Sequence, residues 1–250
     1  MARLIAFLFA FAAFQIALQA EIIETARMEE ILPAIDAGNP EEIWVLFDID
    51  DTLLESALQA GRTHWFYHQF KNRLAEGCEK QAVIDAIDKE YLKIVDICPI
   101  RIPEEETLAL LHRIQQSGAK VMGLTARGPH LCPITLKQFE RLGIDLSTHA
   151  PKTAPFENLS AGYFEKGVLF AVDQLKGPAF RQFIKGCEKR PGKIVFIDDQ
   201  IRHLHELENE ASLLGIPFVG FHYTKTKERP FDWDQAVKEH QMLLDQAKAI

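Results

Sequence analysis

Two apolar runs in this sequence end in carboxylates. The first, Trp44-Val45-Leu46-Phe47-Asp48-Ile49-Asp50-Asp51-Thr52, delivers three acids within four positions, followed by a hydroxyl. The second, Ile194-Val195-Phe196-Ile197-Asp198-Asp199, ends the same way. Unbroken bulky apolar residues over this length belong to strands buried on both faces, as in a parallel sheet. Acids at the carboxyl ends of such strands lie where open α/β sheets bind ligands. On an extended strand Asp48 and Asp50 point the same way. Carboxylates that close repel one another, and a divalent cation relieves the repulsion. The plainer reading of Asp48–Thr52 is a strand followed by a polar turn, for which Asp and Thr are ordinary residues.

The remaining candidates give these acids a context. The chain resembles the haloacid dehalogenase (HAD) superfamily, whose first motif is an apolar strand ending Asp-x-Asp-x-Thr, here Asp48-Ile49-Asp50-Asp51-Thr52. Thr125, after Lys120-Val121-Met122-Gly123-Leu124, resembles the second motif. Lys176, in Asp173-Gln174-Leu175-Lys176-Gly177, resembles the third, with Lys166 as its rival. Asp198-Asp199 resembles the fourth. The resemblance covers roughly residues 40–222. It implies a magnesium-dependent phosphomonoester hydrolase in which Asp48 attacks phosphorus and Asp50 is the general acid and base. Thr125 and Lys176 are implied to bind phosphoryl oxygens. Arg127, two residues after Thr125, resembles the Thr-x-Arg of secreted acid phosphatases and would reach the same site. A surface ion pair is its plainer role. The implied Mg²⁺ set is Asp48, the backbone carbonyl of Asp50, and Asp198 or Asp199. Asp199 is the favoured direct ligand, with Asp198 pairing Lys176. Two other functions fit the same residues: phosphoryl transfer to an acceptor other than water, and a non-catalytic secreted binding or storage protein.

Around these residues strands and helices alternate. Strands are expected at Ile43–Asp48, Lys120–Leu124, Lys193–Ile197 and Phe218–His222. Helices are expected after Pro103, from Pro129 to Gly143, from Gly177 to Cys187, from Ile201 to Leu214 and from Asp234. A hairpin is expected around Glu165-Lys166-Gly167, and a helix over Glu21–Ala37. The expected fold is α/β: a Rossmann-like parallel sheet with helices on both faces. Residues 21–54 and 99–250 make this core. Residues 55–98 interrupt the alternation and read as a small helical cap, too long for an ordinary loop. His64 and His68 read as cap packing, Thr52 as a hydroxyl bonded to backbone, Asp51 as a turn residue, and Lys225, Lys227 and Arg229 as a solvated loop.

The 250 residues carry a formal charge of −8, which argues against a nucleic-acid surface and against attraction to anionic membranes. The partner that the resemblance implies is a small phosphorylated molecule. Residues 1–20 read as a signal peptide, with Arg3 before the apolar stretch Leu4–Leu18 and Ala20 before Glu21. An uncleaved anchor is the competing reading. Export gives the four cysteines, Cys78, Cys98, Cys132 and Cys187, access to an oxidising compartment. Cys78 with Cys98 is one expected pair, and four separate buried thiols the alternative.

Overall fold

A computed structural model describes residues 20–153, 162–171 and 175–249. The expected leader lies outside these residues, apart from Ala20. The sheet has seven strands: β1 (Ala20–Thr25), β2 (Ile43–Phe47), β5 (Lys120–Thr125), β6 (Gly162–Glu165), β7 (Val168–Ala171), β8 (Lys193–Asp198) and β9 (Phe218–Tyr223). Their spatial order is β1-β9-β8-β2-β5-β7-β6, and every pairing is parallel except that of β6 with β7. A separate antiparallel ribbon joins β3 (Glu55–Ser56) to β4 (Ile100–Arg101).

Strand β2 is central, and its side chains alternate between two cores. Val45 and Phe47 join Val121, Val195 and Ile197 on one face. There they pack against α4 (Thr107–Gln116) and α5 (Cys132–Leu142) through Leu110, Leu111, Ile114 and Phe139. Trp44 and Leu46 join Met122, Leu124 and Phe196 on the other face. That face is covered by α6 (Lys176–Gly186) and α7 (Ile201–Leu214) through Phe180, Phe183, Leu204 and Leu207. The fold is thus the expected α/β class, a largely parallel sheet with helices on both faces.

Between β3 and β4 stand α2 (Thr63–Ala75) and α3 (Lys80–Ile94), the helices expected of the insertion. The C-terminal α8 (Trp233–Ala249) packs with them rather than on the sheet. Ala60, Trp65, Ile94, Cys98, Ala236 and Leu243 form their shared core. The Trp65 indole donates to His240 Nδ1 (3.2 Å), and the His68 ring lies 4.3 Å from that of Trp233.

Several expectations are corrected. Residues 20–25 form edge strand β1, not the start of a helix, and α1 is confined to Leu32–Asp36. β1 finds its partner in β9, nearly 200 residues on, where Ala20 is level with Phe218. The helix expected after Pro103 begins only at Thr107, and Glu104 lies ahead of it. Its carboxylate accepts from the Met28 backbone N–H (2.8 Å) and the Tyr223 hydroxyl (2.7 Å). The four cysteines are free. Cys78 lies on the exposed turn before α3 and Cys98 is buried after it, so a helix roughly 22 Å long separates them, beyond disulfide reach. The hairpin at 165–167 is present, with positive φ at Lys166 (44°) and Gly167 (82°), as a tight two-residue turn requires.

Candidate active site

The parallel register brings the two acidic strand ends side by side. Phe47 is level with Ile197, and the Asp48 N–H continues the ladder by donating to Ile197 O (2.9 Å). Asp48, Asp198 and Asp199 each place a carboxylate oxygen within 4.8 Å of the others, all buried, so they could together hold a metal ion. Asp50 contributes no carboxylate to this group. After Asp48 the chain turns sharply, with Asp51 in the left-handed region (φ 58°) and the Leu53 and Leu54 N–H groups both donating to Ile49 O.

Lys176, the first residue of α6, is wholly buried and reaches between two of the acids. Its Nζ donates to Asp48 Oδ1 and to Asp198 Oδ2, the latter at 2.6 Å. Asp198 also accepts from the Gln200 N–H (2.7 Å) and meets His203 Nδ1 (3.2 Å). These partners give the three acids different proton affinities. Burial pushes Asp198 up, but Lys176 and His203 outweigh it and hold the carboxyl below its ordinary range. Burial, reinforced by the Asp198 charge, pushes Asp48 up to about 8 despite the pull of Lys176. Burial with the charges of Asp198 and Asp48 raises Asp199 well above its ordinary value. One lysine therefore does not balance three buried carboxylates. The surplus is what a hard divalent cation with oxygen ligands would neutralise.

Arg127 is placed differently from the sequence expectation. Its guanidinium is buried and ion-paired with the half-exposed Asp50, with most of its donors engaged, although it still borders the cavity. Nε and Nη2 grip the two oxygens of Asp50 (both 2.8 Å). Nη1 donates to Thr135 Oγ1 (2.8 Å) and Gln138 Oε1 (2.7 Å) on α5. The Thr125 hydroxyl, fully buried at the end of β5, accepts from the Arg127 N–H (3.0 Å). Thr52 Oγ1 is buried without a hydrogen-bond partner among the described residues, in place of the expected backbone bond.

A cavity of about 390 Å³ opens over these acids. Asp48, Asp50, Asp199, Arg127 and His203 line its floor, and α2 and α3 its roof. Several hydrogen bonds fasten the roof to the core. Arg62 donates to Thr226 O and Pro230 O (both 2.9 Å), Thr63 donates to Asp51, and Arg202 donates to the Tyr67 hydroxyl (3.0 Å). The basic loop at 225–229 is only partly the solvated loop expected, since Lys227 is exposed but both it and Arg229 have partners in the chain. Lys227 donates to Asp199 O, and Arg229 pairs with buried Glu55 and donates to Pro103 O (2.9 Å). His203 was missed in the sequence. Its position five residues past Asp198, one turn into α7, was the available signal.

An α/β protein with a roofed cavity over buried carboxylates at the central strand ends is the class that this fold and site define. Within that class the chain belongs to the family described as "Protein of unknown function (DUF2608)", whose model matches residues 24–248. It is 27% identical over 192 residues to a "Putative outer membrane protein" of Chlamydia pneumoniae, covering 76% of this chain and 72% of the relative. It is 29% identical over 186 residues to a protein of the same description from Chlamydia muridarum, covering 74% and 70%. Among solved structures, a "Putative Phosphatase from Clostridium difficile" aligns with a TM-score of 0.48 at 12% identity, over 80% of this chain and 91% of that one. The HAD domain of effector protein Lem4 from Legionella pneumophila, an inactive mutant, aligns with a TM-score of 0.41 at 17% identity, over 83% and 97%. No helix among the described residues is long and apolar enough to cross a membrane.

Proposed function

We propose that this protein is an exported, magnesium-dependent phosphomonoester hydrolase that forms an aspartyl-phosphate intermediate on Asp48. The observation that carries the reading is the convergence of Asp48, Asp198 and Asp199 around Lys176, with Asp50 held beside them at the cavity floor. Export is supported by the apolar stretch Leu4–Leu18 and by the description given to the chlamydial relatives.

The roles follow from placement. Asp48 faces the cavity at the end of the central strand, where its carboxylate oxygen can form a bond to phosphorus as the ester oxygen departs. Asp50 supplies the proton to that oxygen and later takes one from the water that cleaves the acyl phosphate. Arg127 sets the orientation of Asp50 through two parallel hydrogen bonds and is a positioning residue rather than a phosphate ligand. Asp198, fully buried and bound by Lys176 and His203, anchors the lysine. Asp199 lines the cavity and is the better placed of the two for direct ligation. The Thr125 hydroxyl is assigned to a phosphoryl oxygen. Asp48, Asp199 and the Asp50 carbonyl would hold the magnesium, which when bound offsets the carboxylate charge and the charge developing on the phosphoryl oxygens.

Phosphate release from an aryl phosphate, measured with magnesium and with a chelator, tests the metal. Acid-quenched intact mass tests the intermediate. Asp48→Asn should show no phosphate adduct, and Asp50→Asn should accumulate one with an activated ester while turnover falls by ~10²–10⁴-fold. Full turnover in excess chelator removes the metal assignment, and an adduct on Asp48→Asn removes the nucleophile.

A further inference from the structure

The floor of the cavity is charged, but its roof is built from rings and aliphatic groups. Phe66 and Tyr67 on α2 and Ile84 and Tyr91 on α3 meet Pro129 and Leu131, which lead into α5. Phe66 and Tyr67 stand edge to face, with centroids 5.7 Å apart and planes at 81°. The Tyr67 ring is fixed at its far end, where its hydroxyl accepts from Arg202 (3.0 Å).

Much of the polar surface of the roof is engaged within the chain, although Arg62 Nε is buried without a partner among the described residues. Arg62 is spent on backbone carbonyls of the 226–230 loop, and Thr63 on Asp51. Gln81 donates to Asp85 (2.9 Å) at the exposed rim. A leaving group rich in hydroxyls, such as a sugar, would give up its water partners here and gain few in return, which is costly. A flat apolar group gives up nothing and meets ring faces and edges, the arrangement aromatic groups favour.

We propose that the leaving group is an aromatic alcohol, so that the substrate class is phosphate monoesters carrying a ring next to the phosphoryl oxygen, with Phe66 as the main ring contact. This rests on the hydrolase reading above and narrows it. A cavity of about 390 Å³ lies within the ordinary size range of small-molecule sites, with space over the acids for a phosphoryl group and a ring.

The test compares benzyl phosphate with glycerol 3-phosphate. Both release a primary alcohol, so they have similar leaving-group chemistry and differ in the ring. With magnesium the wild type should favour the benzyl ester by about tenfold or more in kcat/KM, the discrimination expected of an apolar pocket. Phe66→Ala should collapse that ratio to within about threefold, and Phe66→Leu, which keeps an apolar side chain there, should leave it intermediate. Binding of benzylphosphonate against methylphosphonate, measured by calorimetry, gives a readout without turnover and should follow the same order. Equal kcat/KM for the two esters, or a ratio unmoved in both variants, overturns the proposal. Tight benzylphosphonate binding with hydrolysis of neither ester would sustain the ring site and sink the hydrolase reading instead.

Discussion

Replacing Lys176 with Met isolates the electrostatics of the site from its chemistry. The ammonium is fully buried between Asp48 and Asp198, and methionine fills similar space without charge. Solvent does not screen this pair, so the surface ion-pair discount does not apply. Removing one partner of a buried ion pair costs about 3–5 kcal/mol, because the other charges stay buried and uncompensated. Set against a domain stability of ~5–15 kcal/mol, that is a large fraction. For a chain of this size it corresponds to a fall of about 6–20 °C in Tm. The assay is thermal and urea unfolding in chelator above pH 8, where Asp48 is ionised even in the native site. Saturating magnesium should recover much of the loss, since a cation then sits among the same oxygens. Adding Asp198→Asn to Lys176→Met should also recover part, because one stranded charge is gone. A Lys176→Met protein within ~0.5 kcal/mol of wild type in chelator would refute the claim that Lys176 is the counter-charge on which the metal-free site depends.

A second outcome concerns pH. Asp48, near 3.8 when unfolded, is raised to about 8 in the fold, so the native state binds more protons across that interval and stability falls as pH rises through it. In chelator the Tm advantage of Asp48→Asn over wild type should widen from about pH 4 to about pH 8, and a constant or narrowing gap would contradict the assigned burial and charge. A third concerns export: natively produced protein should begin at or near Glu21 by mass spectrometry and be recovered outside the cytoplasm. An intact Met1 or Ala2 terminus in a membrane fraction would favour the anchor instead.

The strands that carry the acids were legible because their signal is local. Trp44–Phe47 and Ile194–Ile197 are apolar at every position, as in a strand buried on both faces. Lys176 was legible by its motif resemblance and its place at the start of α6. What stayed hidden depends on partners far along the chain. β1 has a weak edge-strand pattern, and its meaning lies in β9. Arg127 sits two residues from Thr125, yet its role is set by Asp50, 77 positions earlier. Arg229 looks solvated until Glu55 is placed beside it. Thr52 shows the opposite failure, since a hydroxyl that sequence logic would pair has no partner among the described residues.

The packing of α8 bears on the order in which the molecule can be completed. The roof helices α2 and α3 emerge early in synthesis, yet part of the core beneath them is supplied by Ala236 and Leu243. β1, at the other end of the chain, waits for β9. A growing chain can assemble β2, β5 and β8 as each appears, but the sheet edge and the lid over the acids close only when the last quarter arrives. Until then the roof over the carboxylates lacks part of its core, so the covered cavity is among the last parts of the protein to be completed.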